Sequence, residues 1–129
     1  MTKIGCAFLL LFTSSLSYGA ENAPRTKEYG RCIEKAGAVD PAVLECISDE
    51  YARQDKRLNG AYRNLMGSLK VERKKQLLET QRLWGKYTEA NCGFYHDPDG
   101  GTLARILAAE CEVTARMERA AELEELAKY

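Results

Sequence analysis

Asp55, His96, Asp97 and Asp99 are the side chains of this 129-residue chain that invite a general acid or base reading. His96 is the sole histidine, and it stands in the breaker-rich run Phe94-Tyr95-His96-Asp97-Pro98-Asp99-Gly100-Gly101. No serine or cysteine nucleophile is placed beside it by sequence. Asp97-x-Asp99-Gly has the opening spacing of a calcium loop, but the twelfth position from Asp97 is Ala108, where such a loop carries glutamate. There is no Gly-rich phosphate cradle and no metal box. The pattern points away from an enzyme, a metal site and a cofactor. What remains is recognition: Phe94, Tyr95, His96, Asp97 and Asp99 form a candidate binding tip on a loop.

The cysteines bear on compartment. Lys3, the apolar run Ile4 to Phe12 and the small or polar residues Thr13 to Ala20 read as a secretory signal peptide over residues 1–20. The apolar run is well short of the roughly 20 residues a membrane-spanning helix needs. Cys6 lies near the start of that run, where a lipidated cysteine would follow it. The expectation is a periplasmic or secreted protein with one domain over residues 21–129 and no membrane anchor after cleavage. The chain holds 19 basic and 19 acidic side chains; cleavage takes Lys3 and no acid, so the mature net charge is about minus one. That balance excludes a basic nucleic-acid binder. Four cysteines remain, Cys32, Cys46, Cys92 and Cys111, and an even number in an exported domain reads as two disulfides. No pair has the Cys-x-x-Cys spacing of a zinc site.

Four helices must position these groups. Thr26 to Ala36 forms the first, with Tyr29, Ile33 and Ala36 on one face and Gly37 as its stop. Asp40 is the expected N-cap of the second, with Pro41 at its first position. Cys32 and Cys46 lie at matched distances from the turn between them, so a helical hairpin pairs them, although four cysteines allow three connectivities. A crosslink closing a loop of about 15 residues is worth ~3 kcal/mol in the chain-entropy model. The second helix runs to about Leu69, with a seam of Ile47, Tyr51, Leu58, Tyr62, Leu65 and Leu69. Asp55 falls in the gap of this seam. A carboxylate there needs a partner, and Arg82, Lys86 and Arg119 are the candidates.

The basic run Lys70, Arg73, Lys74 and Lys75 marks the next turn and reads as a solvated helix start. The third helix spans about Glu72 to Phe94. Leu77, Gln81, Trp84, Thr88 and Asn91 recur at four, three, four and three residues, which is one helical face. Trp84, the only tryptophan, is expected at the centre of a small core. Gly85 is expected to admit a close helix, and Gln81 to hydrogen-bond across the bundle. Thr102 is the expected cap of the fourth helix, which runs to about Leu126 with Leu103, Ile106, Leu107, Cys111, Thr114, Met117 and Ala121 inward. Cys92 and Cys111 then staple a second hairpin. Glu110, Glu112, Glu118, Glu122, Glu124 and Glu125 make the outside of this helix acidic. The fold class is all-α, a small antiparallel bundle of about four helices.

Cys46, Asp55, Leu58-Asn59, Tyr62, Gln81, Trp84, Tyr87, Cys92, Gly100-Gly101, Cys111, Arg119 and Leu123 form a pattern. In this order it resembles the LprI-type lysozyme inhibitor family, over roughly Cys32 to Leu126. The resemblance implies a disulfide-linked helical domain, with Asp55, Leu58, Asn59, Tyr62, Gln81, Trp84, Tyr87 and Arg119 as core. In the family's named member it implies inhibition of host-type lysozyme. Two positions depart from the pattern. The named type is a lipoprotein and this chain has no lipobox, and Thr88 follows Tyr87 where arginine is usual. The expected function is binding to lysozyme or a related peptidoglycan hydrolase so as to occlude its cleft. The alternative is a non-catalytic envelope interaction or scaffold role, toxin immunity included. The oligomeric state stays open.

Overall fold

The computed structural model describes residues 24–129. The expected signal peptide over residues 1–20 lies outside the described residues. Among those described there are four helices and no strand: α1 Lys27–Ala36, α2 Asp40–Ser68, α3 Val71–Tyr95 and α4 Gly101–Leu126. None is long and apolar enough to cross a membrane.

Local chemistry sets most of the boundaries. The Thr26 hydroxyl accepts a hydrogen bond from the Tyr29 backbone N–H and so caps α1. Gly37 ends α1 at φ +57°, donating its N–H to the Ile33 carbonyl. The expected cap at Asp40 sits one residue too late. Val39 holds the cap position without a side-chain bond, and Asp40 is already helical. The link from α1 causes this: the Val39 N–H bonds the Ala36 carbonyl, and the Val39 carbonyl takes the first helical bond, from the Val43 N–H. Asp40 acts instead through its charge at the positive end of the helix dipole. Thr102 is likewise not a cap, because α4 starts at Gly101 with Gly100 before it.

Both expected disulfides are present. Cys32–Cys46 joins α1 to α2 at a Cα separation of 5.6 Å, and Cys92–Cys111 joins α3 to α4 at 5.4 Å. Each staples an antiparallel hairpin. The hairpins meet through α2 and α4, the most extensive helix contact in the molecule. Tyr51 meets Arg116 and Arg57 meets Glu124, so residue numbers rise together and these two helices run parallel. The hydrophobic core combines Leu58, Ala61 and Leu65 of α2 with Leu77 of α3 and Ala120 and Leu123 of α4. The α2 seam is therefore as expected, with Tyr62 and Leu69 on its border.

On α4 the buried positions are Ala104, Val113, Met117, Arg119, Ala120 and Leu123. Leu103 and Leu107, expected inside, are exposed. The reason is geometric. α4 lies between α2 and α3, so its buried positions spread over two sides, and the stripe through Leu103 and Leu107 falls between them.

Candidate functional site

The second hairpin carries the sequence-predicted tip. α3 extends to Tyr95, the chain turns through residues 96–100, and α4 begins. The turn is built rather than loose. The Asp97 carboxylate accepts the Asp99 backbone N–H at 2.9 Å, and the Asp97 carbonyl accepts the Gly100 N–H at 3.0 Å. A Cβ at Gly100 would lie 2.6 Å from the Ala104 Cβ, and Gly101 takes φ +61°. The two glycines are what let α4 start so close to the turn. The Cys92–Cys111 bond then fixes the base of the tip.

On this frame Phe94 is 88% exposed, the most exposed aromatic ring of α3, and it meets Tyr95 edge to face at a centroid distance of 6.5 Å. Leu103 and Leu107 add apolar surface on the α4 side. His96, Asp97 and Asp99 are exposed beside them. Phe94 and Tyr95 thus close α3, and His96, Asp97 and Asp99 follow in the turn. Among the described residues no three His, Cys, Asp or Glu side chains converge as a metal site.

The remaining residues of the sequence pattern divide. Leu58 and Arg119 are buried, and Tyr62, Gln81 and Trp84 are partly so. Gln81 does bond across the bundle, accepting from Arg119 Nε at 3.0 Å. Arg119 also pairs with Glu122 at 2.7 Å. Asn59 and Tyr87 are exposed rather than core. Trp84 flanks the core instead of centring it, since α4 is the helix that α3 chiefly packs against. Gly85 has no atom within 4 Å of a placed Cβ, so no helix makes close contact there.

Asp55 is half-exposed, and its partner is none of the three cations expected. Arg116 donates to it at 3.1 Å and Asn59 at 2.9 Å. Arg116 also pairs with Glu112 and lies 4.0 Å from the centre of the Tyr51 ring. This is an electrostatic clamp between α2 and α4.

The buried acid is Glu50, which the sequence pattern does not single out. It has no exposed surface. It accepts hydrogen bonds from the Thr26 N–H at 3.0 Å, the Thr26 hydroxyl, Arg53 Nε at 2.9 Å and Gln54 Nε2 at 2.8 Å. Burial alone would raise its pKa, but these donors outweigh it and hold the carboxyl at about 2. Nearby, Tyr29 donates its hydroxyl to Glu110, which Arg25 also engages. Burial first, then the bond to Glu110, pushes the phenol up to about 12. Both groups hold the start of α1 against the bundle.

The acidic face of α4 is largely answered from within. Glu110 pairs with Arg25, Glu112 with Arg116, Glu122 with Arg119, Glu124 with Arg57 and Glu125 with Lys128. The Arg57 hydrogen bonds hold the Glu124 carboxyl below its ordinary pKa. Of the six glutamates only Glu118 has no ion pair among the described residues. Glu118 lies on a groove of about 590 Å³ between α3 and α4, with Trp84, Tyr87, Asn91, Tyr95 and Leu107 along it.

Comparison with known proteins adds one match. The model of a family described as "Lysozyme inhibitor LprI" matches residues 32–123. No curated protein and no solved structure gives a match.

Proposed function

Since the chain belongs to the LprI lysozyme inhibitor family, we propose that it is an exported protein that binds lysozyme or a related peptidoglycan hydrolase and blocks its cleft. The cleft of such an enzyme works with two carboxylates flanking the scissile bond. Occluding it needs shape and affinity and no chemistry from the inhibitor.

The stapled tip is the observation that carries the surface assignment. Phe94 is almost fully exposed at the end of a helix, against Tyr95 and two residues beyond the disulfide-bonded Cys92. A rigid aromatic presented this way loses little conformational freedom on binding and is the usual kind of anchor in an interface. Asp99 and His96 supply polar rim contacts. The paired glutamates of α4 leave little unbalanced charge, so aromatic burial carries this recognition more than electrostatic steering does.

The test is a titration of oxidised protein, lacking residues 1–20, into a lysozyme cell-wall clearing assay, with a reduced sample beside it. Saturable inhibition near one-to-one, lost on reduction, is the expected result. No inhibition at large excess would refute the lysozyme assignment.

A further inference from the structure

The α3–α4 groove shares Tyr95 and Leu107 with the border of the tip, but the rest of its lining is not used by cleft-plugging. Trp84, Tyr87 and Tyr95 set three aromatic rings along one wall of α3, the outer two 11 positions apart, roughly 16 Å at 1.5 Å per residue. Tyr87 is 67% and Tyr95 47% exposed, and neither phenol has a hydrogen-bond partner among the described residues. Asn91 makes one weak contact, from its amide nitrogen to Cys111 Sγ at 3.6 Å, which leaves its carbonyl oxygen free. Glu118 supplies an unpaired carboxylate opposite. Glu110 and Glu122, also on the groove, are neutralised by Arg25 and Arg119. The groove therefore keeps one net negative charge, at Glu118, and is otherwise lined by aromatic rings and unengaged hydrogen-bonding groups. Its volume of about 590 Å³ is in the range of small-molecule sites.

We propose that this groove binds a short neutral oligosaccharide of the N-acetylhexosamine class. A pyranose ring has an apolar face, formed by its C–H groups, that lies against an aromatic ring, and an equatorial edge of hydroxyls. Trp84, Tyr87 and Tyr95 meet the faces. Glu118 accepts from the hydroxyls, and the Asn91 carbonyl accepts the N–H of an acetamido group while Leu107 receives its methyl. A cationic peptide is disfavoured by the internal pairing of Glu110 and Glu122. The site does not depend on the inhibitor reading, which rests on the Phe94 tip.

Trp84 is the only tryptophan of the chain and lies in the groove, so its fluorescence reports occupancy directly. The experiment titrates a β-1,4-linked N-acetylglucosamine tetramer into the oxidised protein with no lysozyme present, followed by emission and by calorimetry. A saturable emission change is expected, with the dissociation constant rising about tenfold in Tyr87→Ala and again in Glu118→Gln. Both residues are exposed, and circular dichroism checks that each variant is folded. Absence of saturation by both methods overturns the proposal. So does saturation that neither substitution weakens. An emission change produced by lysozyme but not by the sugar also overturns it, since the groove would then be a protein contact. The clearing assay reads the inhibitor function separately.

Discussion

Glu50 accepts both the backbone N–H, at 3.0 Å, and the hydroxyl of Thr26, the residue that caps α1, across 24 positions of sequence. One carboxylate thus anchors the start of the first helix to the second, while Cys32–Cys46 holds its last turns. Arg53 and Gln54 fill the rest of its hydrogen-bonding capacity. A buried charge with every partner in place is tolerated; one that loses its partners, or donors that lose the charge, are not.

Glu50→Ala is therefore expected to destabilise the protein by about 3 kcal/mol, because it strands the Thr26 and Gln54 donors in a buried site. Urea unfolding at neutral pH, with both disulfides intact, measures it. A loss under about 1 kcal/mol would show that water replaces the carboxylate there.

The same residue sets an acid limit. Its folded pKa of about 2 lies below the ordinary 4.5, so the unfolded chain binds the proton more readily. The stabilisation is fully present above pH 4.5 and is lost as pH falls from there towards 2. At 1.36 kcal/mol per pH unit it amounts to about 3 kcal/mol. Unfolding midpoints between pH 6 and pH 2 should fall steeply in the parent and much less in Glu50→Gln.

Asp55 gives the contrasting case. Arg116 keeps Glu112 and the Tyr51 ring when Asp55 is changed, and Asp55 is 41% exposed. Asp55→Asn should cost no more than about 1 kcal/mol, in the range of partly solvated ion pairs. Thermal melting compared with Glu50→Ala checks the ranking. A larger loss for Asp55 would make the α2–α4 clamp the stronger of the two.

Those two acids also show what a sequence does and does not disclose. Local periodicity reports one helix at a time. It gave the α3 face through Leu77, Gln81, Trp84, Thr88 and Asn91, whose residues are all buried or partly buried. Matched distances about the first turn gave Cys32–Cys46, and the two cysteines flanking the second turn gave Cys92–Cys111. The parallel register of α2 and α4 has no local signal, since a whole helix separates them. It decides that Asp55 meets Arg116 rather than Arg82, Lys86 or Arg119. Glu50 is hidden for the same reason: its polarity reads as surface until Thr26 is placed beside it. The two-sided packing of α4 explains why one stripe through Leu103 and Leu107 misreads its buried face.

The disulfides should contribute separately. Their sequence separations are 14 and 19 residues, which in the chain-entropy model is ~3 kcal/mol each. Replacing Cys92 and Cys111 by alanine should lower inhibition as well as stability, because that bond underlies the tip. Replacing Cys32 and Cys46 should lower stability while leaving inhibition by the folded fraction intact. Urea melts and clearing assays on the two double variants separate the effects, and equal loss of inhibition in both would detach the tip from function.

Phe94→Ala isolates the contact from the fold. The ring is 88% exposed and touches only Tyr95 among aromatic neighbours, so its removal should change unfolding free energy by less than about 0.5 kcal/mol, as for other surface substitutions. If the ring enters the cleft of the hydrolase, its loss removes an interface anchor worth about 2 kcal/mol or more. That corresponds to an inhibition constant about 30-fold higher, at 1.4 kcal/mol per decade. His96→Ala, on the same turn but polar and peripheral, should shift inhibition less than about threefold. A Phe94 variant that inhibits like the parent would move the contact off the tip and on to another face of the α3–α4 hairpin.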